Sequence, residues 1–279
     1  MGKPKPKSAL RPRYLKVHAF LVFAFLFLPI AVLVTFSFNK ARSGTSWTGF
    51  STRWYRDLIH NEEVLQDFRN TLKVAIAATI VSTVIGTLAA FALTRFKFAG
   101  RTAYSTLVFI SLVLPEVVMG ISLLVFFRKI AHFQLGLNTV ILAHISFCVA
   151  FVIVVVRARL TAFDNRLVEA AADLGATPYQ SFLRIVLPLA GPGIAAGAML
   201  AFTISLDDVV ITHFTTGPGG TTLPIYIFGQ VGKFGVSPSI NALSTFVLGF
   251  SFLILALAGF FSARASRRGV GGVDVTALT

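Results

Sequence analysis

Charge is scarce in this 279-residue chain. Only 13% of its residues are Asp, Glu, Lys or Arg, about half the share usual for a soluble domain. There is one cysteine, Cys148, which excludes an intrachain disulfide and a cysteine-rich metal centre. Cys148 lies inside an apolar run and reads as a packed, inert thiol. The histidines His18, His60, His132, His144 and His213 are scattered without metal-ligand spacing, so no metal site is expected. His144, within an apolar run, reads as an interhelical hydrogen bonder. No Gly-x-x-x-x-Gly-Lys-Ser/Thr phosphate loop occurs, and Gly217-Pro218-Gly219-Gly220 lacks the lysine, so ATP hydrolysis by that route is excluded. Neither His-Glu-x-x-His nor Gly-x-Ser-x-Gly occurs. No catalytic residue is therefore expected.

What the chain has instead is apolar length. Hydrophobic residues make up 55% of it, and its mean hydropathy is +0.79. A membrane-spanning helix needs about 20 mostly apolar residues, and six windows qualify: Val17–Phe38, Leu72–Leu93, Tyr104–Phe127, Asn138–Val156, Gly191–His213 and Ile240–Ser262. Hydrocarbon offers no partner to backbone polar groups, so these windows predict helices and an all-α membrane protein. The first window is too long for the apolar core of a cleaved signal peptide and reads as a span. The formal charge of +14 would suggest nucleic acid in a soluble protein. Here the basic residues lie between the apolar runs, so no nucleic-acid partner is expected.

The distribution of those basic residues predicts orientation. Lys3, Lys5, Lys7, Arg11, Arg13 and Lys16 precede the first window. Arg95, Lys97 and Arg101 fill the second loop, Arg157, Arg159, Arg166 and Arg184 the fourth, and Arg264, Arg267 and Arg268 follow the last. They outnumber Lys and Arg in the alternate loops. Both termini and Arg184 are thus expected in the cytoplasm and Trp54 outside. Residues 1–16 read as a basic arm near anionic lipid, 17–262 as the six-span domain, and 263–279 as a flexible tail. His60–Phe68, with Asn61 as N-cap and Glu62 and Glu63 in the first turn, predicts a short interfacial helix leading into the second span. The Pro/Gly-rich stretch Thr215–Pro238 predicts an outer, partly re-entrant loop. Gly193 and Gly197 fit close helix packing.

The fourth loop is more than a connection. Leu167–Leu174 is a helix-forming run. Gly175 stands where a C′ glycine would sit, and Thr177-Pro178 supplies an N-cap and a first-turn proline. A second helix is expected over Tyr179–Leu187, ending at Pro188. The result is a cytoplasmic elbow over 164–188. Glu169-Ala170-Ala171, then Gly175, then after nine intervening residues Ile185, then Leu187-Pro188 resembles the EAA signature of ABC importer permease subunits. Trp47–Tyr55, Ser205–Val210, Thr216-Gly217-Pro218 and Gly235–Leu243 are similar to stretches of the polyamine-importer branch of that family.

The resemblance implies a type I ABC importer permease (MetI-like) fold in the bacterial inner membrane. It implies that Glu169, Ala170, Ala171, Gly175, Ile185, Leu187 and Pro188 form the coupling elbow against an ATP-hydrolysing subunit. The implied partners are a second, homologous permease, an ATPase dimer that holds the ATP and Mg, and a periplasmic or lipid-anchored binding protein. No cofactor is expected in this chain, and the implied cargo is spermidine or putrescine.

Acids inside spans are costly and default to function. Glu116 is expected about 18 Å, and Asp207 about 24 Å, along outward-running helices at ~1.5 Å per residue. Asp208 follows Asp207 about 100° around the helix, and Pro115 should bend its helix and free a carbonyl. Glu116, Asp207 and Asp208, with Tyr226 as an aromatic wall, are the candidate pathway residues. Each acid can instead make a helix–helix hydrogen bond or cap a frayed end. Other small amines remain possible cargoes. A self-contained channel or an intramembrane enzyme is the reading from another class, but it leaves the elbow unexplained.

Overall fold

The computed structural model describes residues 12–42, 44, 46–162 and 166–270. They form helices and one isolated antiparallel bridge, between Asn39 and Phe50. Residues 1–11, 164–165 and 271–279 of the predicted arm, elbow and tail lie outside the described residues.

The chain divides into two compact units. One comprises residues 1–61 and 230–249. Its first helix, α1 (Pro12–Phe36), starts within the predicted basic arm. None of the span Tyr14–Phe36 is buried, and a helix so apolar with no protein cover is suited to lipid. After it, Asn39 organises the loop. Its side-chain amide donates to Ser46 O, its Oδ1 accepts from the amides of Ala41 and Thr48, and its carbonyl accepts from Trp54 Nε1 at 2.8 Å. Tyr55 bonds Ser37 at 2.7 Å and packs on Phe38. Trp54 and Tyr55 are thereby built into the loop through α2 (Arg53–Ile59), a helix too short to leave a period in the sequence.

The other unit comprises residues 62–229 and 250–279. The expected interfacial helix does not stand alone. It runs without a break into the second span as α3 (Glu62–Arg95), because nothing between Asn61 and the apolar run breaks a helix. Next come α4 (Arg101–Val113) and α5 (Glu116–Val125), the latter extended by a π-turn over Phe126–Ile130. The third window is therefore not one bent helix. Its halves meet at 111°, since Leu114 and Pro115 are both extended, with ψ of 133° and 131°. The residue before a proline is pushed out of the helical region.

Then follow α6 (Leu137–Thr161), α7 (Arg166–Asp173), α8 (Pro178–Ser181), a π-turn over Phe182–Val186, α9 (Leu187–Asp207), α10 (Val210–Thr215) and α11 (Leu223–Phe234), whose residues from Gln230 on belong to the first unit. The core lies between α3, α6 and α9, where small residues let backbones approach. A Cβ on Gly86 would meet Val152 at 2.6 Å, one on Gly193 would meet Arg159 at 2.6 Å, and one on Gly197 would touch Val152 at 3.4 Å. Cys148 is fully buried and donates to Ala201 O at 3.6 Å. The last helix, α12 (Pro238–Val270), belongs to the first unit as far as Gly249 and continues past the predicted end at Ser262.

Pro188 does not end a helix as expected. The run from Pro178 to Asp207 is a single apolar span. The preceding turn widens so that Leu187 N bonds Phe182 O, and Pro188 falls at the start of α9, where a missing N–H is tolerated.

Candidate functional site: two broken spans and a cytoplasmic elbow

The fifth window is also broken. α9 stops at Asp207, Asp208 is extended (φ −64°, ψ 130°), and α10 begins at Val210. Asp207 and Asp208 therefore do not share a continuous helix, and the expected 100° relation between them does not apply. Their roles divide. The Asp208 side chain is 5% exposed. Its Oδ1 accepts from Ile211 N at 3.3 Å, and its Oδ2 accepts from Thr212 N and the Thr212 hydroxyl, both at 2.8 Å. It caps α10, the alternative role left open by the sequence. His144 of α6 adds Nε2 at 3.3 Å from Asp208 Oδ2 and 2.9 Å from Thr212 Oγ1, while its Nδ1 meets Ser205 Oγ at 2.7 Å. Since Thr212 donates to Asp208, Nε2 of His144 is the donor toward Thr212. His144 is thus the expected interhelical hydrogen bonder, with partners on both sides of the break.

Asp207 is exposed and lines a groove of ≈ 340 Å³ with Glu116, Ile204, Asp208, Val209 and Val210. The structure thus joins Glu116 to the aspartates, a proximity that the 90 residues between Glu116 and Asp207 hide in the sequence. The two breaks meet here because α5 packs on α10: a Cβ on Gly120 would meet the Phe214 ring at 2.6 Å. Glu116 begins α5, where the positive helix end favours an acid. Asp207 ends α9, at the negative end, where the last carbonyls of the helix have no intrahelical partner. A cation beside Asp207 would relieve this mismatch. The depth expected for Glu116 assumed an unbroken helix from Tyr104 and fails at Leu114. Tyr226, on α11, is not among the residues lining the groove.

The elbow follows its local chemistry. Gly175 has φ +84°, its amide bonds Ala172 O and the Ala176 amide bonds Ala171 O, both at 2.9 Å. This pair closes α7 as a glycine C-cap. Thr177 Oγ1 accepts from Gln180 N, and Gln180 Oε1 accepts from Thr177 N at 2.9 Å. The latter half of this capping box was missed in the sequence, although Gln180 stood at the required spacing. Glu169, Ala170, Gly175 and Pro188 are exposed, whereas Ala171, Ile185 and Leu187 are half-buried. The signature therefore has an outward face and a supporting base. Val168 and Phe182 pack against the buried core, and Phe182 lies 4.6 Å from Phe91 of α3 between ring centroids. Leu174 and Tyr179 stay largely exposed, at 89% and 71%. The elbow is thus exposed on one face and tied to the bundle by the other.

Several apolar spans, two of them broken around an acidic groove, with a rigid elbow at one end, define a membrane transport subunit. Residues 82–271 match the binding-protein-dependent transport system inner membrane component family, and the chain belongs to it. It is the non-catalytic permease component of an ABC importer, located in the inner membrane. It is 43% identical over 90% of its length to the spermidine/putrescine transport system permease protein PotC of Shigella flexneri, covering 94% of that protein. It is 41% identical to the putrescine transport system permease protein PotI of Escherichia coli strain K12, covering 91% and 92% of the two chains. The fold matches that of a bacterial ABC transporter involved in import of the acidic polysaccharide alginate, with a TM-score of 0.72 at 19% identity, over 90% of this chain and 94% of the other.

Proposed function

We propose that this permease lines half of an import path for polyamines such as spermidine and putrescine. The observation that carries the reading is Asp207 at the negative end of α9, beside Glu116 in one groove. The fold by itself does not set the sign of the cargo, because a neighbour of the same fold belongs to a transporter of an acidic polysaccharide. Two carboxylates and the orphan carbonyls of α9 favour a polycation, and the names of the relatives point the same way. A flexible polyamine loses water as it enters, and charged hydrogen bonds to these acids offset the loss. Tyr226 is proposed as a wall elsewhere along the path. The remaining half of the path comes from a second, homologous permease. A binding protein delivers the cargo, and an ATPase dimer with ATP and Mg docks on Glu169, Ala170, Ala171 and Gly175.

Uptake of labelled putrescine and spermidine by the reconstituted complex tests this function. Saturable uptake of both, each competing with the other, is expected. Uptake of an uncharged solute without competition by either amine would leave an importer of different cargo.

The elbow and both termini are proposed to face the cytoplasm. With Cys148 buried, an impermeant thiol reagent should label Ile59→Cys in intact cells. Leu174→Cys should be labelled only after permeabilisation, and the reverse order would invert the topology.

A further inference from the structure

We infer that His144 is a positioning residue that keeps the Asp208 carboxylate inside the wall, so that Asp207 and Glu116 are the acids of the groove that meet the cargo. This rests on the cation-path reading above and assigns the work within it. Asp207, Asp208 and Val209 all line the groove. Yet the Asp208 carboxylate is 5% exposed, and His144 is 2% exposed. Three donors on α10 hold that carboxylate from one side, and the imidazole, which donates to Thr212 and lies 3.3 Å from Asp208 Oδ2, closes it off from another. His144 is itself fixed from the far side of the break by Ser205. One imidazole on α6 thereby ties the end of α9 to the start of α10.

Such a clamp has a use in a transporter. Two adjacent carboxylates free in the groove would hold an ammonium group more tightly than one, and cargo held too tightly is released slowly. Removing the imidazole takes away the group that closes off Asp208 Oδ2 on that side, and the nearest relief for a buried carboxylate is the groove that Asp208 already lines. His144→Leu should therefore free a second carboxylate.

The test is equilibrium binding of radiolabelled spermidine to the purified permease–ATPase complex without binding protein, alongside uptake in proteoliposomes. His144→Leu should tighten spermidine binding by about tenfold, the effect of one charged hydrogen bond, while maximal uptake falls. A folding defect shows instead as a loss of assembled complex on co-purification, so affinity and uptake are compared per assembled complex. The double change His144→Leu with Asp208→Asn should return binding to the original affinity, because no charge is left to release. His144→Gln, which keeps a donor near the Nε2 position, should behave as the original.

If His144→Leu does not assemble, Asp208→Asn and Asp207→Asn still decide. Asp207→Asn should weaken binding by about tenfold, and Asp208→Asn should leave it unchanged. Equal weakening by both would place Asp208 in the path and overturn the inference, as would lowered uptake by His144→Leu at unchanged affinity. Intact binding after both Asp207→Asn and Glu116→Gln would instead remove the cation path itself.

Discussion

Gly175→Val is expected to cut uptake by at least about tenfold while the spans still insert and the chain still accumulates. At φ +84° Gly175 lies in the left-handed region, which costs an ordinary residue about 1–3 kcal/mol and a β-branched one most. Nothing lies within 4 Å of a Cβ built there, so the penalty is conformational and not a clash. It falls on the two hydrogen bonds that close α7, from Gly175 to Ala172 and from Ala176 to Ala171. The turn is exposed, so the strain is relieved by re-aiming α7 and not by unfolding the buried helices. Under the proposed coupling role, a re-aimed α7 presents Glu169 and Ala170 wrongly to the ATPase. A graded series separates this from a general defect. Gly175→Asn, tolerant of left-handed backbone, should keep most uptake, Gly175→Ala should be intermediate, and Gly175→Val should fall furthest. Normal uptake with substrate-stimulated ATP hydrolysis by the valine variant would take coupling away from the elbow. Glu169→Lys tests the same face through charge and should be comparably damaging.

The elbow was legible in sequence because each of its parts is local. A glycine C-cap, a threonine N-cap and a first-turn proline act over two or three residues, and the structure has all three at Gly175, Thr177 and Pro178. The apolar windows were legible for the same reason, since apolar length is a property of one segment: five helices are long and apolar enough to span, or six if the bent pair counts as one span. The two breaks were not. Hydropathy averaged over Gly191–His213 cannot register that Asp208 stops one helix and caps another, because the stop is held partly by His144, 64 residues earlier in the chain. Leu114-Pro115 did signal a bend, but a proline within a helix ordinarily kinks it. The two extended residues that turn the chain by 111° depend on α5 finding a seat on α10. Pro188 misled in the opposite direction, since the π-turn that ends two residues earlier, at Val186, absorbed it.

Those breaks decide where the cargo is expected to be felt, and the largest effect should come from removing both groove acids. Glu116→Gln together with Asp207→Asn keeps the shape of each side chain and removes both charges from the ≈ 340 Å³ groove. A charged hydrogen bond contributes about 1.5–3 kcal/mol, so each single change should lower polyamine uptake about tenfold or more. The pair should bring it near background. The two acids share one cargo, so their effects are not expected to add. Asp207 should matter more than Glu116. It stands at the negative end of α9 with carbonyls that already favour a cation, whereas Glu116 at the positive end of α5 is partly compensated by its own helix. Asp207→Glu, which keeps the charge and lengthens the side chain by one methylene, should lose less than Asp207→Asn. Co-purification of the second permease and the ATPase with each variant controls for assembly. A doubly neutral variant that still moves spermidine at the unmodified rate would clear both acids from the path. Polyamine selection would then belong to other surfaces of the permease pair or to the binding protein alone.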